Sequence, residues 1–310
     1  MEMRQLGQTG LWVTPLGFGA APMAFLDKPQ EQADATLNRV LDAGVNLIDT
    51  AACYPNSEQV IGRAVGHRRD DYVLASKCGH LAHGLRGREW SAELIARSID
   101  RSLTLLRTDH LDIMLLHSCD LAVLKQGEAL EALRQAREAG KVRHIGYSGD
   151  NEAAAYAAGL EDVEIIQTSV SICDQTNIDL VLPVAEGRNL GVIAKRPLAN
   201  AAWKNLAEQP GMYAHYAAEY NRRLRRMNLT PSDLGFDDGT GAAWLEMSLR
   251  FTLSQPQVHA AIVGTTCIDH LEANVYAAGL GALPPIAVQK VRNAFHRAQN
   301  GAGYGWVAQT

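Results

Sequence analysis

Hydrophobic positions along this chain fall into two alternating patterns. Short, almost wholly apolar runs recur as LGFGA (16–20), VNLID (45–49), YVLAS (72–76), LDIMLL (111–116), VRHIGYS (142–148), EIIQTSV (164–170), GVIAK (191–195) and HAAIVG (259–264). Runs this short and this apolar suit strands buried on both faces, as in a parallel sheet. Between them lie longer segments with apolar residues at helical spacing. In SAELIARSIDRSLTLLRT (91–108), Leu94, Ile95, Ile99, Leu103 and Leu106 fall on one stripe. GEALEALRQAREAGKVRHIG (127–146) carries a helix that stops near Gly140, a residue suited to the turn out of a helix, before the next strand begins.

Eight such strands alternating with helices predict an α/β fold with a parallel sheet, and eight is the number that closes a (β/α)8 TIM barrel. The chain of 310 residues has the length for one. The alternative is an open doubly wound sheet. It lacks its signature, because GFGAAPM (17–23) has the first two glycines of GxGxxG but not the third. Two stretches fall outside the repeat. Residues 4–14 predict an N-terminal β-hairpin turning at Gln8-Thr9-Gly10. Residues 197–241, after the seventh strand, are too long for a simple loop and contain helical patches; further helical segments follow the last strand. With no linker, repeat or low-complexity segment, residues 1–310 read as a single barrel domain.

Composition narrows the functions. Apolar residues make up 47% and charged residues 20%, ordinary for a folded soluble protein, and the formal charge of −5 argues against a nucleic-acid partner. One basic run, NRRLRRMN (221–228), reads as a solvated helix face. No apolar stretch reaches the ~18 residues of a membrane span, and MEMRQLGQTG lacks a signal-peptide core. The expectation is a cytoplasmic protein with no membrane partner, a monomer or small homo-oligomer. The five cysteines (53, 78, 119, 173, 267) are odd in number, scattered and without a CxxC pair.

In a barrel, chemistry collects where the strands' C-terminal ends meet the following loops. The second strand ends in Asp49, with Tyr54 in its loop. The third ends LASK, placing Lys77 at its tip, and the fourth ends MLLH, placing His117 there. Singly, each has an ordinary reading: a turn cap, a packed loop aromatic, an exposed lysine, a core histidine. Together they bring an acid, a phenol, an amine and an imidazole to three adjacent tips. That set suits reduction of a carbonyl, which needs a hydride at carbon and a proton at oxygen. A neighbouring ammonium would lower the pKa of Tyr54, Asp49 would hold Lys77, and His117 would orient the carbonyl.

These segments resemble the aldo-keto reductase family. NLIDTAACYPNSEQVIG (46–62) is similar to its signature, in which an Asp ends strand two and a Tyr follows in a Y-x-x-S-E context. ASKCG, DIMLLHSCD, GKVRHIGYS and HLEAN match its lysine, histidine, fifth-strand and last-helix segments, in order, from the hairpin to about residue 280. The resemblance implies that Asp49, Tyr54, Lys77 and His117 are a catalytic tetrad with Tyr54 as the acid. It implies a small-molecule carbonyl or alcohol substrate and a nicotinamide cofactor, NADP(H) before NAD(H), bound without a Rossmann fold.

Carried over residue by residue, the resemblance assigns Gly19 and Ala20 to the backbone approaching the cofactor, and Ser148 and Gln167 to its carboxamide. The Asn that follows the serine in the family is Gly149 here, and the ring-stacking Tyr is Val170, which offers apolar contact only. AKRPLAN (194–200) brings Lys195 and Arg196 to the expected pyrophosphate, unless they are exposed strand-end cations. The phosphate loop supplies Gly264, Thr265, Thr266 and His270 but no Lys or Arg, and Asn274 is expected at the adenine. A soft metal site of Cys53, Cys78, Cys119 and His117 is opposed by strand geometry, because Cys78 and Lys77 must point to opposite faces. No metal is expected. Trp90, Trp203, Tyr213, Tyr216 and Trp306 are candidates for an apolar substrate pocket. The alternative function is a nicotinamide-binding sensor or regulatory subunit on the same barrel.

Overall fold

Two short strands, β1 (Arg4–Gln5) and β2 (Trp12–Val13), pair antiparallel as the expected hairpin. Eight more follow: β3 (Leu16–Gly19), β4 (Leu47–Asp49), β5 (Val73–Cys78), β6 (Leu111–His117), β7 (Val142–Ser148), β8 (Ile165–Ser169), β9 (Gly191–Lys195) and β10 (Ala260–Val263). In this computed structural model they are all parallel neighbours in chain order, and β10 pairs with both β9 and β3, closing a barrel. Every apolar run named above supplies one strand, and closure rules out the open sheet. The structure describes residues 1–25, 29–209, 211–237, 241–303 and 305–309, without the side chains of 208 and 211–213.

The helices form where local signals agree. The helix Ala92–Leu106 starts at Ser91, whose hydroxyl accepts the Leu94 N–H at 3.3 Å, and it buries Leu94, Ile95, Ile99 and Leu106 against the barrel. The helix Glu128–Glu138 ends just before Gly140, which has φ +74°. Among the described residues, no helix is long and apolar enough to cross a membrane.

The barrel interior is layered by the two-residue period of its strands. Leu47, Val73, Ala75, Ile113, Leu115, Ile165, Ile193 and Ala260 form an apolar lower layer with Leu6 and Val13 from the hairpin. The hairpin thus corks the N-terminal end. Gly7, at φ +55°, lies so close to β9 that a Cβ there would stand 2.3 Å from the Gly191 nitrogen. Two residues further along the same strand faces come Asp49, Lys77, His117, Gln167 and Lys195. The alternation that fills the lower barrel with aliphatics therefore sends these polar side chains inward at the mouth.

A second core packs outside the barrel. It joins Tyr220 and Leu224 of the helix Gly211–Met227, Met247 and Phe251 of the helix Gly241–Leu253, and Phe295 of the helix Pro285–Asn300 to Trp306 of the tail. The long segment after β9 and the C-terminal helix thus cover one another. Here the reading of 221–228 as a solvated face needs correction. Arg223 is 2% exposed; its guanidinium donates to Glu219 at 2.8 Å and to the carbonyls of Cys173 and Val307, and lies over the Trp306 ring. A charge is tolerated there because hydrogen bonds and a carboxylate surround it. Trp306 is buried and packs on Phe295, so it offers no face to a pocket; Trp203 stacks on Trp244 and stays half-buried; the Tyr213 side chain lies outside the described residues.

The hairpin cork generates a stability prediction. Gly10 also has positive φ (+77°) but open space around it. Gly10→Ala should cost about 1–2 kcal/mol of left-handed strain, whereas Gly7→Ala should add about 1–3 kcal/mol of overpacking. Urea denaturation of both variants checks this; equal losses would mean that the hairpin is not seated against β9.

Candidate active site

Asp49 ends β4 and Lys77 stands at the penultimate position of β5, both facing the barrel axis. Their side chains are almost wholly buried. Lys77 Nζ lies 2.6 Å from Asp49 Oδ1 and donates also to the Thr50 carbonyl at 2.8 Å. The other carboxylate oxygen of Asp49 is held from across the barrel: Gln167 Nε2 on β8 donates to Oδ2 at 2.7 Å. Gln167 in turn accepts the Ser148 hydroxyl at 2.9 Å. A single polar chain, Ser148–Gln167–Asp49–Lys77, therefore spans the mouth, and every link in it is a buried group with its partner present.

The loop after β4 brings Tyr54 to this chain. Thr50 and Ala52 donate their backbone N–H groups to the Ala75 and Lys77 carbonyls, and a turn from Ala51 to Tyr54 folds the loop back over the mouth. Lys77 Nζ lies 5.5 Å from the centre of the Tyr54 ring, and the His117 ring is 5.7 Å away, edge to face. The structure thus gathers all four expected residues. The Tyr54 hydroxyl makes no hydrogen bond to any described residue.

The expected depression of the Tyr54 pKa is not found. Burial, followed by the nearby Asp49 carboxylate, pushes the phenol well above its ordinary value, and Arg196 only partly opposes this. Burial is the largest cause; in addition, the Lys77 charge is bound to Asp49 at 2.6 Å, so the phenol meets an ion pair instead of a bare cation. His117 shifts the other way. Burial and then Lys77, with His80, Lys195 and Arg196, hold its imidazole far below the ordinary histidine range, so it is neutral at physiological pH.

Cys53, which sequence reasoning weighed only within a disfavoured metal site, sits with Sγ 3.3 Å from His117 Nδ1. Burial raises the pKa of its thiol, so it faces the imidazole as a neutral S–H. Cys78 and Cys119 are fully buried in the outer core, away from His117. Among the described residues, no three His, Cys, Asp or Glu side chains are grouped as metal ligands.

The remaining predicted residues divide into those at the mouth and those elsewhere. Gly19 ends β3 beside Asp49, and the Ala20 N–H donates to the Asp49 carbonyl at 2.8 Å. Gly264 packs against the same point, where a Cβ would stand 2.5 Å from the Gly19 oxygen. Lys195 and Arg196 are not exposed cations. Lys195 lies 2.8 Å from Asp150 Oδ2; Arg196 lies 3.7 Å from it, donates to Ser169 Oγ at 2.8 Å and to the Gln309 carbonyl, and stacks on Tyr216. Asp150 thus pairs with both cations, a placement that the sequence concealed, since an acid just before a helix reads as a cap. Against the effect of burial, Lys195 and Arg196 hold its carboxyl below the usual range.

Two departures from the family pattern have physical causes. A Cβ at Gly149 would stand 2.3 Å from the Tyr147 hydroxyl, which donates to the Cys119 carbonyl at 2.6 Å. Tyr147 therefore occupies the room that an Asn at 149 would need. Val170 is fully buried in the outer core and offers no face to the mouth, so the expected apolar contact from it is absent. In the far loop, the Thr265 hydroxyl is bonded within its own turn, to Cys267, while Gly264 and His270 are exposed. Thr266 offers its carbonyl to Gln32 at 2.8 Å. Asn274 is buried, and its Oδ1 has no donor among the described residues.

A model of the aldo/keto reductase family matches residues 15–294. Over 292 residues the chain is 30% identical to an L-galactose dehydrogenase of Arabidopsis thaliana, spanning 89% of this chain and 88% of the relative. It is 26% identical over 314 residues to a probable voltage-gated potassium channel subunit beta of Oryza sativa subsp. japonica, spanning 94% and 95%. A solved aldo-keto reductase from Bacillus halodurans, in its holo form, superposes with a TM-score of 0.80 at 26% identity over 95% of this chain and 96% of that one.

The environment of His117 makes a direct prediction. Its ring signals in a nitrogen-resolved NMR titration should stay at neutral positions between about pH 8 and pH 6, with no midpoint near the ordinary ~6.5. The unfolded chain would protonate this group where the folded one does not, so it contributes a loss of stability as pH falls below about 6.5. A midpoint at the ordinary value would contradict the buried, cation-flanked setting.

Proposed function

This chain belongs to the aldo/keto reductase family, and from that premise we propose that it is an oxidoreductase moving a hydride between a nicotinamide dinucleotide and an aldehyde or ketone, or the corresponding alcohol. The observation that carries this reading is the Tyr54 hydroxyl, which has no hydrogen-bond partner among the described residues, set beside a neutral His117 and the Lys77–Asp49 pair.

A nicotinamide bound at the mouth would supply or accept the hydride. The protein's own groups handle the oxygen. Tyr54 and His117 donate hydrogen bonds to a carbonyl and fix its orientation. As negative charge builds on that oxygen, the Tyr54 proton crosses to it. The high pKa of Tyr54 is compatible with this, because an alkoxide is a stronger base than a phenolate, and the proton is retained until the alkoxide develops. Lys77 then faces the phenolate, and its ammonium stabilises the new charge. In the oxidation direction the same groups run in reverse.

The residues present fit a dinucleotide. Asn274 Oδ1, buried without a donor among the described residues, suits the exocyclic amino group of adenine. Ser148 and Gln167 form a polar wall for a carboxamide, and the tight Gly19–Gly264 approach allows close backbone contact. Lys195 and Arg196 exceed Asp150 by one positive charge, which favours a pyrophosphate nearby. The 2′-phosphate that marks NADP(H) finds less support. Residues 264–274 contain no Lys or Arg, and the neighbouring Arg39 is paired with Glu272 at 2.9 Å. NADP(H) is the family's usual cofactor, and NAD(H) fits this loop equally well.

The second reading, a regulatory subunit, draws on the name of the rice relative. The complete set of four groups favours catalysis, since a subunit that only senses cofactor has no use for the phenol.

Titration by fluorescence should give NADPH and NADH affinities within about tenfold of each other, because the charge-assisted hydrogen bond that would separate them, about 1.5–3 kcal/mol, is missing. A preference for NADPH beyond a hundredfold would contradict the loop reading, and no binding of either would end the proposal. Tyr54→Phe should lower kcat by about 10²–10⁴-fold while cofactor affinity stays close to wild type. Unchanged turnover would exclude Tyr54 as the acid. Lost turnover with unchanged biological output would favour the regulatory reading.

A further inference from the structure

Beyond the tetrad, the loop after β5 carries a second imidazole with an unusual degree of support. His80 lies edge to face with His117, ring centres 5.6 Å apart, and with Trp90, ring centres 4.7 Å apart. Its Nδ1 is 3.3 Å from Glu89 Oε1, an oxygen that also accepts the Leu81 N–H at 2.9 Å. The loop is closed at its base, where the Trp90 N–H donates to the Gly79 carbonyl at 3.0 Å. Trp90 sits at φ +65°, in the left-handed region, and its indole lies directly on Gly79, where a Cβ would stand 1.9 Å from the ring. Held strain of this kind, stabilised by surrounding contacts, concentrates at functional positions.

This clamp fixes His80 on three sides and leaves Nε2 with no hydrogen bond to any described residue. The side chain is 38% exposed, so the free edge is reachable from solvent. The His117 and His80 rings are consecutive along one wall of the mouth. If His117 holds the reacting oxygen, the His80 ring, 5.6 Å away, is close enough to meet a neighbouring polar group of the same substrate. Neighbouring oxygens on adjacent carbons lie ~2.8 Å apart, about one hydrogen-bond length, and an N–H···O contact from His117 or an O–H···N contact to His80 Nε2 each spans about 3 Å. Two imidazoles with centres 5.6 Å apart can therefore each reach one of them. The Glu89 carboxylate disfavours an anionic group at that point, and an apolar group would cover Nε2 without replacing its water.

Resting on the oxidoreductase reading above, we propose that His80, braced by Glu89 and Trp90, is a specificity-determining residue that hydrogen-bonds a hydroxyl on the carbon next to the carbonyl. The favoured substrates are then 2-hydroxy aldehydes and ketones, and the vicinal diols into which they are reduced. The Trp90 ring supplies the apolar surface beside that hydroxyl.

The test compares 2-hydroxypropanal, 3-hydroxypropanal and propanal, which differ only in the presence and position of one hydroxyl. Each is assayed with purified wild type and His80→Ala under saturating reduced cofactor. Wild type should prefer 2-hydroxypropanal to propanal by about tenfold or more in kcat/KM, the range set by leaving a polar group unpaired. His80→Ala should bring that ratio close to one and leave the ratio of 3-hydroxypropanal to propanal as in wild type. Ratios within one protein preparation do not depend on how much of the variant is folded. Turnover of propanal with no wild-type preference, or with the same preference in His80→Ala, would overturn this inference alone. Failure of the wild type to turn over any carbonyl compound would overturn the oxidoreductase reading and this inference with it.

Discussion

The arrangement at the barrel mouth depends on one buried ion pair. Lys77 and Asp49, 1% and 2% exposed, sit on adjacent strands with nitrogen and oxygen 2.6 Å apart. Two charges removed from water are costly, and they persist only where the geometry is good and the remaining hydrogen-bonding capacity is filled. Here Thr50 takes a second Lys77 proton, and Gln167 fills the second Asp49 oxygen from the opposite wall. The pair then adds to what burial does to its neighbours. After burial, its anion helps to keep the Tyr54 proton on, and its cation helps to keep a proton off His117. A neutral imidazole and a protonated phenol are the two donors that a carbonyl oxygen needs.

Much of this was legible in the sequence, for reasons that can be named. Strands buried on both faces appear as continuous apolar runs, so all eight were visible. Because side chains alternate along a strand, an acid at 49, a lysine at 77 and a histidine at 117 follow aliphatic positions at 47, 75 and 115 onto the inner face. What stayed hidden depends on contacts between distant residues. Cys53 and His117 are separated by 64 positions. The raised pKa of Tyr54 follows from its burial and then from the Asp49 carboxylate, which a residue list does not reveal. Arg223 looked like one of four arginines on a wet helix, yet its side chain meets the tail at Val307 and Trp306.

The departures from the family pattern also have local explanations. Tyr147 fills the space beside Gly149, and Asp150, next in sequence, neutralises part of the charge that Lys195 and Arg196 bring to the mouth. These changes lie on neighbouring strands β7, β8 and β9 and form one rearranged wall. The opposite wall keeps the tetrad and adds the clamped His80. The mouth therefore sets the gathered Asp49, Tyr54, Lys77 and His117 opposite a wall that departs from the family pattern.

The central claim is that Asp49 and Lys77 act as a unit. A double-mutant cycle on stability tests it most directly, using Asp49→Asn, Lys77→Met and the pair together in urea denaturation. The account predicts a loss of about 3–5 kcal/mol for each single change, because an unpaired charge is left buried, and a double variant no less stable than either single one. Losses that simply add, to within about 0.5 kcal/mol, would mean that the two groups do not depend on each other, and would contradict the account.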